Sequence, residues 1–321
     1  MQSKFSWYYN NATNSIFLEK GADSLKIIFT FVDGFGIGAE DKSINPLYAA
    51  KTSVLRNLVE NAAFQADATL GVPGLPQSAT GQTALFTGVN APRVLNRHMS
   101  GQPTVTLKKL LYKNNLFMSL KDMGLSVASS NIYRDEYIEK ILDVKDRKNR
   151  PSVTSVMCMA AAVPFRNSRS FHTGEGVYHD ITGQKLMESG YDIKPISPQK
   201  AAQNLYALSR KYDLTLFEHF VTDIAGHKAE MQEAVKIIET LDSFLETLIN
   251  KMNFEEDVLI LTSDHGNIED LSVSTHSMNK VPVIILGKKA NTIDMTINSL
   301  TDVMPYVQKL FEANASTNGS V

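Results

Sequence analysis

The sequence predicts an α/β fold, a doubly wound and mostly parallel sheet with helices on both faces. Three short apolar runs, rich in β-branched and aromatic residues, each lead into an aspartate. They are Lys26–Val32 before Asp33, Leu214–Val221 before Asp223 and Val258–Thr262 before Asp264. Between the last two runs, apolar residues recur every three or four positions from Met231 to Leu248, as in a long amphipathic helix. Strand, helix and strand in this order indicate a parallel crossover unit.

The remaining elements follow the same reasoning. Further strands are predicted at Leu125–Ser129 and Val281–Leu286, and further helices around residues 47–61, 107–114, 198–211 and 300–312. Residues 133–197 lack this alternation and are interpreted as a small inserted cap over the strand ends. The core then comprises residues 25–132 and 198–312, residues 1–24 are an N-terminal extension, and the small and polar residues 313–321 are a flexible tail.

Composition excludes several classes of function. A chain of 321 residues with 43% hydrophobic residues can bury a sizeable core. Its net charge of −2 offers no basic field for nucleic acid. No apolar run reaches the ~18 residues of a membrane span, and the first residues lack the features of a secretory signal. We therefore expect a cytoplasmic protein that binds neither nucleic acid nor membrane.

Cys158 is the only cysteine, which excludes an intrachain disulfide. It lies in the apolar run Val156–Ala161. We therefore expect a small buried side chain and not a catalytic thiol.

Carboxylates and imidazoles follow the predicted strands. Because the carboxyl ends of parallel strands meet at one edge of a sheet, where ligands bind, we expect these side chains to lie close together. The candidates are Asp33, Asp223, His227, Asp264, His265 and His276. Carboxylates gathered there without a cation would repel one another, and this ligand set suits a divalent metal ion. Each motif alone is a weak signal for a metal site. An aspartate that caps a helix, followed by a histidine one turn later, gives the same spacing as Asp223 and His227 without binding a metal.

The other histidines carry less weight. His219 lies inside a predicted strand and is expected to be a core histidine or one that lies behind the cation ligands. His98, His172 and His179 lie in predicted loops or in the cap and are expected to be surface or hydrogen-bonding residues.

With these motifs the chain resembles the alkaline phosphatase superfamily and, within it, the branch of cofactor-independent phosphoglycerate mutases. Their order and spacing cover most of the predicted core. The matching segments are Val32–Gly36, Ala79–Ala84, Thr222–His227, Ser263–Glu269, and Thr275–Ser277 followed by Val281-Pro282.

The resemblance implies two divalent metal ions, zinc or manganese, and a nucleophilic hydroxyl. One ion would be held by Asp223, His227 and His276, and the other by Asp33, Asp264, His265 and the nucleophile. In the mutase-like pattern a Gly-Asn pair precedes a nucleophilic serine at the start of a helix. Gly81-Gln82 occupies that place here, so Thr83 is the expected nucleophile and metal ligand, as in the related phosphodiesterases and phosphonate hydrolases. Ser78 and Thr80 are the rival hydroxyls.

Phosphate oxygens require cationic or amide donors. The candidates for substrate binding are Arg97, His98, Asn131 and Arg134, with Arg166 and Arg169 of the cap as further arginines. The alternatives are a solvated surface position for each arginine and a turn position for Asn131.

These features favour a two-metal hydrolase that acts on a phosphomonoester or phosphodiester of a small metabolite through a phosphothreonine. The alternatives are a phosphomutase of the cofactor-independent phosphoglycerate mutase type and a metal-binding module without turnover. The chain is too short to include the large inserted domain of those mutases, which favours hydrolysis. Sulfatase activity is disfavoured because the only cysteine, Cys158, is far from the expected nucleophile.

Overall fold

A six-stranded sheet runs through the centre of the molecule, in a computed structural model that describes residues 25–143 and 148–318. The strands are β1 (Lys26–Val32), β2 (Phe64–Ala66), β3 (Val127–Ser129), β4 (Asn131–Ile132), β5 (Val177–Tyr178), β6 (Leu214–His219), β7 (Asp257–Thr262) and β8 (Val281–Leu286). The sheet order is β2-β8-β7-β1-β6-β3, and β4 pairs with β5 separately. Strands β7, β1, β6 and β3 are parallel, β8 runs antiparallel to β7, and β2 runs antiparallel to β8. The predicted mostly parallel α/β fold is confirmed.

Helices cover both faces of this sheet. They are α1 (Pro46–Ala49), α2 (Leu55–Glu60), α3 (Ser78–Thr87), α4 (Ala91–Leu95), α5 (Val105–Lys113), α6 (Leu116–Asp122), α7 (Asp135–Leu142), α8 (Val153–Ala160), α9 (Ser168–Thr173), α10 (Gln184–Glu188), α11 (Pro198–Ser209), α12 (Val221–Lys228), α13 (Met231–Lys251) and α14 (Val303–Asn318). Short 3₁₀ helices span Lys288–Thr292 and Leu300–Asp302. Within the described ranges, no helix has both the length and the apolar character needed to cross a membrane.

Side chains of β1 alternate between two hydrophobic clusters, one on each face of the sheet. Phe29 and Phe31 pack on the face that carries α3, and the Phe31 ring meets the Phe86 ring edge-on at 5.6 Å. Ile28 and Val32 pack on the opposite face with α13. Burial on both faces explains why β1 is an almost continuous apolar run, and it places Asp33 at the edge where the strand emerges.

One predicted helix is wrong. The helix predicted over residues 47–61 is two short helices, α1 and α2. The carboxylate of Asp242 in α13 accepts hydrogen bonds from the backbone N–H groups of Ser53, Val54 and Leu55, so these groups do not take part in a continuous helix. Within the predicted tail, α14 continues as far as Asn318, and the alanines at 313 and 315 favour the helix. The flexibility of residues 313–321 stays a prediction. The predicted extension over residues 1–24 lies outside the described residues.

The segment predicted as a cap is built in two parts. Helix α8 packs into the main hydrophobic cluster beneath the strand ends, with Val156, Met157 and Cys158 fully buried. A separate small cluster is formed by Ile132, Phe171, Tyr178, Leu186 and Ile193. Residues 133–197 therefore do not form a lid throughout, although their limits as a domain stay a prediction. Burial raises the pKa of the Cys158 thiol to about 12, which fits the expected structural role.

Candidate metal centre

Carboxylates emerge at neighbouring strand ends. Asp33 directly follows β1, and Asp264 lies two residues beyond the end of β7, the adjacent strand. Gly34, with a φ of +64°, turns the chain sharply after Asp33, and its N–H donates to Asp264 Oδ1 at 3.3 Å. A side chain at this glycine would collide with Asp223, since its Cβ would lie 2.7 Å from Asp223 Oδ1. The turn therefore brings three carboxylates together.

One group of ligands comprises Asp33, Asp264 and His265, whose ligand atoms lie within 4.8 Å of one another. His265 Nε2 is 3.3 Å from Asp33 Oδ1 and 3.5 Å from Asp264 Oδ2. These two carboxylate oxygens are buried and accept no hydrogen bond. A buried carboxylate oxygen that accepts no hydrogen bond is destabilised, and a divalent cation would satisfy both oxygens.

The second group comprises Asp223, His227 and His276. Helix α12 carries Asp223 and His227 four residues apart, so both side chains lie on one face of the helix. His227 Nδ1 donates to the Ser274 carbonyl at 2.9 Å, and His276 Nδ1 donates to the Pro76 carbonyl at 2.7 Å. A carbonyl only accepts, so each neutral ring carries its lone pair on Nε2, the atom that faces the group. Such second hydrogen bonds orient imidazoles that bind metals.

The two groups adjoin. The rings of His265 and His276 stack with their centroids 3.8 Å apart and an angle of 16° between the planes. Asn267 also contacts the second group, because its Nδ2 donates to Asp223 Oδ1 at 2.6 Å. Two sets of three oxygen and nitrogen ligands side by side suit two divalent cations.

Electrostatics also favour cations at this position. Burial, with the nearby carboxylate of Asp264, raises the pKa of Asp33 to about 8. Burial also raises the pKa of Asp264. Burial alone would lower the pKa of His265, but Asp264 and Asp33 raise it to about 10. The pKa of Asp223 would rise with burial, yet His276 and the charge on His265 hold it at about 2. Excess negative charge is therefore concentrated here, and metal binding would displace the protons that offset it.

The predicted placement of Thr83 is wrong. Helix α3 begins at Ser78, so Thr83 is the sixth residue of the helix and not its start. Its buried hydroxyl donates to the Ala79 carbonyl at 2.6 Å, within the helix. The Thr80 hydroxyl donates to the Gln77 carbonyl at 3.1 Å. Neither hydroxyl meets the ligand groups.

Ser78 is the hydroxyl that meets them. Its Oγ lies 3.0 Å from His265 Nε2, the ring nitrogen that faces Asp33 and Asp264. A further residue on α3, Gln82, donates from Nε2 to Asp33 Oδ2 at 3.0 Å and was not singled out from the sequence. The sequence carries no clear signal for a helix start at Ser78, because the N-cap residue Gln77 makes no capping hydrogen bond with its side chain.

The predicted substrate-binding residues separate into two sets. Asn131 uses its side-chain amide on the backbone of Glu218, donating to the carbonyl at 2.7 Å and accepting from the N–H at 2.8 Å. The Arg166 guanidinium donates to the carbonyls of Ser129 and Glu175, and Arg134 is exposed at the start of α7. The hydrogen bonds described here for Asn131 and Arg166 go to backbone groups outside the two ligand groups, so the roles of these residues and of Arg134 in binding substrate stay predictions.

Arg97 and His98 lie in a different position. Together with Gln77, the residue before Ser78, they line an open surface cavity of about 570 Å³. His98 Nε2 is 3.1 Å from the Val72 carbonyl, on the same side of the molecule. The lining includes Gln77 but neither Ser78 nor a residue of the ligand groups, so the roles of Arg97 and His98 in binding substrate stay predictions.

Residues 25–315 match the family model of the metalloenzyme superfamily. The chain belongs to that superfamily. This metalloenzyme is 30% identical over 125 residues to a 2,3-bisphosphoglycerate-independent phosphoglycerate mutase of Methylobacillus flagellatus, a match that covers 36% of the chain and 24% of the relative. A mutase of the same name from Desulforudis audaxviator is 28% identical over 127 residues, which cover 37% and 25% of the two chains. The matched part of the metalloenzyme thus spans about a quarter of the length of these relatives.

Two solved structures share the fold of this metalloenzyme. The PH0037 protein of Pyrococcus horikoshii has a TM-score of 0.57 and 15% identity, covering 91% of this chain and 98% of its own. A cold-active alkaline phosphatase of Shewanella sp. has a TM-score of 0.53 and 12% identity, covering 88% and 99%. The predicted resemblance to the alkaline phosphatase superfamily is confirmed.

Proposed function

We propose that this metalloenzyme hydrolyses a phosphate ester of a small metabolite through a phosphoserine at Ser78. The observation that carries the proposal is the 3.0 Å approach of the Ser78 hydroxyl to His265 Nε2, at the junction of two groups of metal ligands. Ser78 takes the role that the sequence assigned to Thr83, because the Thr83 hydroxyl donates its hydrogen bond to the Ala79 carbonyl within α3.

The position of Ser78 favours a negatively charged oxygen. Ser78 is the first residue of α3, a helix of ten residues, and the positive end of the helix dipole lies there. Asp33, Asp264 and His265 are the residues proposed to hold one cation next to this oxygen, and Asp223, His227 and His276 the other. Two bound divalent cations would supply positive charge that eases loss of the serine proton and neutralises the phosphoryl oxygens. The mixed oxygen and nitrogen ligands suit zinc or manganese.

The reaction proceeds in two displacements. The Ser78 hydroxyl gives its proton to water and its oxygen attacks phosphorus. The bond between phosphorus and the ester oxygen breaks, and the released alkoxide takes a proton from water to leave as the alcohol. A water molecule then attacks the phosphoserine, which releases phosphate and restores the serine hydroxyl. Gln82 holds Asp33 through its hydrogen bond at 3.0 Å and keeps that carboxylate in place through both steps.

The surface cavity lined by Gln77, the residue before Ser78, and by Arg97 and His98 would suit a small anionic substrate. Arg97 offers a planar set of donors to phosphate or carboxylate oxygens, and His98 lies next to it. The proposed partner is therefore a small phosphorylated metabolite, in agreement with a net charge of −2, which does not favour nucleic acid.

A mutase is the second candidate. The observation that favours it is the identity of 30% to a phosphoglycerate mutase over 125 residues. In a mutase the first displacement is the same, and a second hydroxyl of the bound substrate takes the phosphoryl group in place of water. Both candidates use the same ligands and the same serine.

The test is release of 4-nitrophenol from 4-nitrophenyl phosphate, bis(4-nitrophenyl) phosphate and 4-nitrophenyl phenylphosphonate. The protein is stripped with a chelator and reloaded with zinc or manganese, and wild type is compared with Ser78→Ala and with Thr83→Val as the matched control. We expect turnover of at least one ester, a loss on the order of 10³-fold or more in Ser78→Ala, and retention in Thr83→Val. Loss in Thr83→Val alone would return the role to Thr83. Interconversion of 2- and 3-phosphoglycerate, without turnover of the three esters, would identify a mutase.

A further inference from the structure

The carboxylate of Glu269 is buried behind both groups of metal ligands. Only 1% of its surface is exposed. Oε2 accepts hydrogen bonds from the backbone N–H of Gly36 at 2.9 Å and from that of Asn267 at 2.7 Å. Oε1 accepts from Asn279 Nδ2 at 3.0 Å and from the hydroxyl of Ser277. A carboxylate offers about four lone-pair positions, so these four donors leave none for a cation.

These donors lie on the loops that carry the ligands of both groups. Gly36 lies three residues after Asp33, and Asn267 two residues after His265. Ser277 directly follows His276. One carboxylate therefore ties the loops of the Asp33 group to the loop that contributes His276 to the other group.

The loops are packed closely around this side chain. A Cβ at Gly36 would lie 2.4 Å from Glu269 Oε1, and a Cβ at Gly266 would lie 2.2 Å from the same atom. At Gly38 a Cβ would lie 2.6 Å from the Glu269 carbonyl. These three positions have no room for a larger residue because the backbone approaches Glu269 so closely.

We propose that Glu269 is a positioning residue that sets the spacing of the two ligand groups, so that the affinity for both cations depends on it. The inference rests on the proposed two-metal function. Glu269 does not touch the reacting atoms in this role. It holds three loops in one arrangement, and the ligands on those loops are then placed before a cation arrives.

The variant Glu269→Gln tests this with almost no change in side-chain size. An amide group replaces one oxygen and donates where the carboxylate accepts. If the amide takes the place of Oε2 it faces two backbone N–H groups, and if it takes the place of Oε1 it faces the Asn279 amide. The first orientation leaves donors facing a donor and displaces a loop, and the second keeps its hydrogen bonds only if the Asn279 amide turns over and the Ser277 hydroxyl accepts.

Asp242→Asn is the matched control. Asp242 is also a buried carboxylate with four hydrogen bonds, which it accepts from the N–H and hydroxyl of Ser53 and from the N–H groups of Val54 and Leu55. None of these donors lies on a ligand loop. The control therefore reproduces the loss of a buried acceptor without disturbing the two groups.

The experiment measures the stepwise affinity of the stripped full chain for zinc and for manganese, by competition with a chelating dye, together with urea unfolding of the metal-free chain. We expect both affinities to fall by about 10- to 100-fold in Glu269→Gln and to be unchanged in Asp242→Asn, although both variants unfold at lower urea. Ser277→Ala removes one of the four donors and is the milder second variant, in which we expect a smaller fall in affinity, should Glu269→Gln not fold.

Wild-type affinities in Glu269→Gln, or an equal fall in Asp242→Asn, would overturn the inference. A fall in only one of the two affinities would overturn it as well, because it would show that Glu269 serves a single group. Failure of the wild-type chain to take up two cations would instead overturn the proposed function, and the inference with it.

Discussion

The Nε2 atoms of His227 and His276 lie 3.1 Å apart. Both rings donate from Nδ1 to a backbone carbonyl, so in their neutral forms two lone pairs face each other across this distance. Asp223 adds its carboxylate at 3.5 Å from His227 Nε2 and 3.4 Å from His276 Nε2. Lone pairs and negative charge directed at one point repel one another unless a proton or a cation lies between them.

Replacing His276 should therefore remove one metal ion. We expect His276→Ala to retain one divalent ion per chain where wild type retains two, because the Asp33 group is complete without it. Elemental analysis after desalting measures the ratio. His172→Ala, an exposed histidine on α9, is the control and should keep the wild-type ratio. Two ions retained by His276→Ala would contradict this assignment of ligands.

Removing the hydroxyl of Ser78 should affect activity, whereas removing that of Thr83 should affect stability. Thr83→Val keeps the shape of the side chain but removes the buried hydrogen bond to the Ala79 carbonyl, so we expect a loss of about 1 kcal/mol in the free energy of unfolding with activity retained. Ser78→Ala should lose activity with a change in stability of about 0.5 kcal/mol or less. Urea unfolding and ester hydrolysis on both variants measure the two effects. The reverse pattern would restore Thr83 as the nucleophile.

This pair of residues also shows what the sequence does not determine. Five residues of an α-helix turn through about 500°, so the two hydroxyls point about 140° apart around the axis of α3. Which of them faces the ligands depends on the residue at which the helix begins. A motif match at Gly81-Gln82-Thr83 placed that beginning several residues too late.

The six metal-ligand candidates, by contrast, follow from local patterns. Asp33 follows a strand that the apolar run Lys26–Val32 identifies by itself, and Asp264-His265 follows another. The break between α1 and α2 does not follow from any local pattern. The residue responsible, Asp242, is 187 to 189 positions away in the chain. The role of Glu269 could not be predicted from a local pattern either, because it depends on loops more than 200 residues apart in the chain.

The buried carboxyl of Glu218 should make stability depend on pH. It lies on β6 and accepts a hydrogen bond from Thr154 Oγ1 at 2.6 Å, while burial raises its pKa from 4.5 to about 7. A raised pKa in the folded state means that the stabilisation is complete below pH 4.5 and is lost as pH rises through 7.

Glu218→Gln removes this dependence. Between pH 5 and pH 8, the free energy of unfolding of the variant should gain about 2 to 3 kcal/mol relative to wild type. Urea unfolding of the metal-free chain at several pH values measures the difference. Glu246→Gln, at an exposed position on α13, is the control and should show no such gain. A constant difference between wild type and Glu218→Gln across this range would contradict the prediction.

The contact between Gly226 and Asn267 should control the Asp223 group. Asn267 Nδ2 donates to both Asp223 Oδ1 and the Asp223 carbonyl. A Cβ at position 226 would lie 2.3 Å from Asn267 Oδ1. In α12 an alanine would favour the helix by about 1 kcal/mol relative to glycine, yet it would push Asn267 away from Asp223.

We expect Gly226→Ala to weaken cation binding at the Asp223 group by about 10-fold or more, with an unchanged far-ultraviolet circular dichroism spectrum. The double variant Gly226→Ala with Asn267→Ala identifies the cause, because it removes the atom that collides. If the effect acts through Asn267, adding Gly226→Ala to Asn267→Ala will change the affinity little, and the two substitutions will be strongly non-additive. Additive losses would mean that Gly226 affects Asp223 through the backbone of α12 and not through this contact.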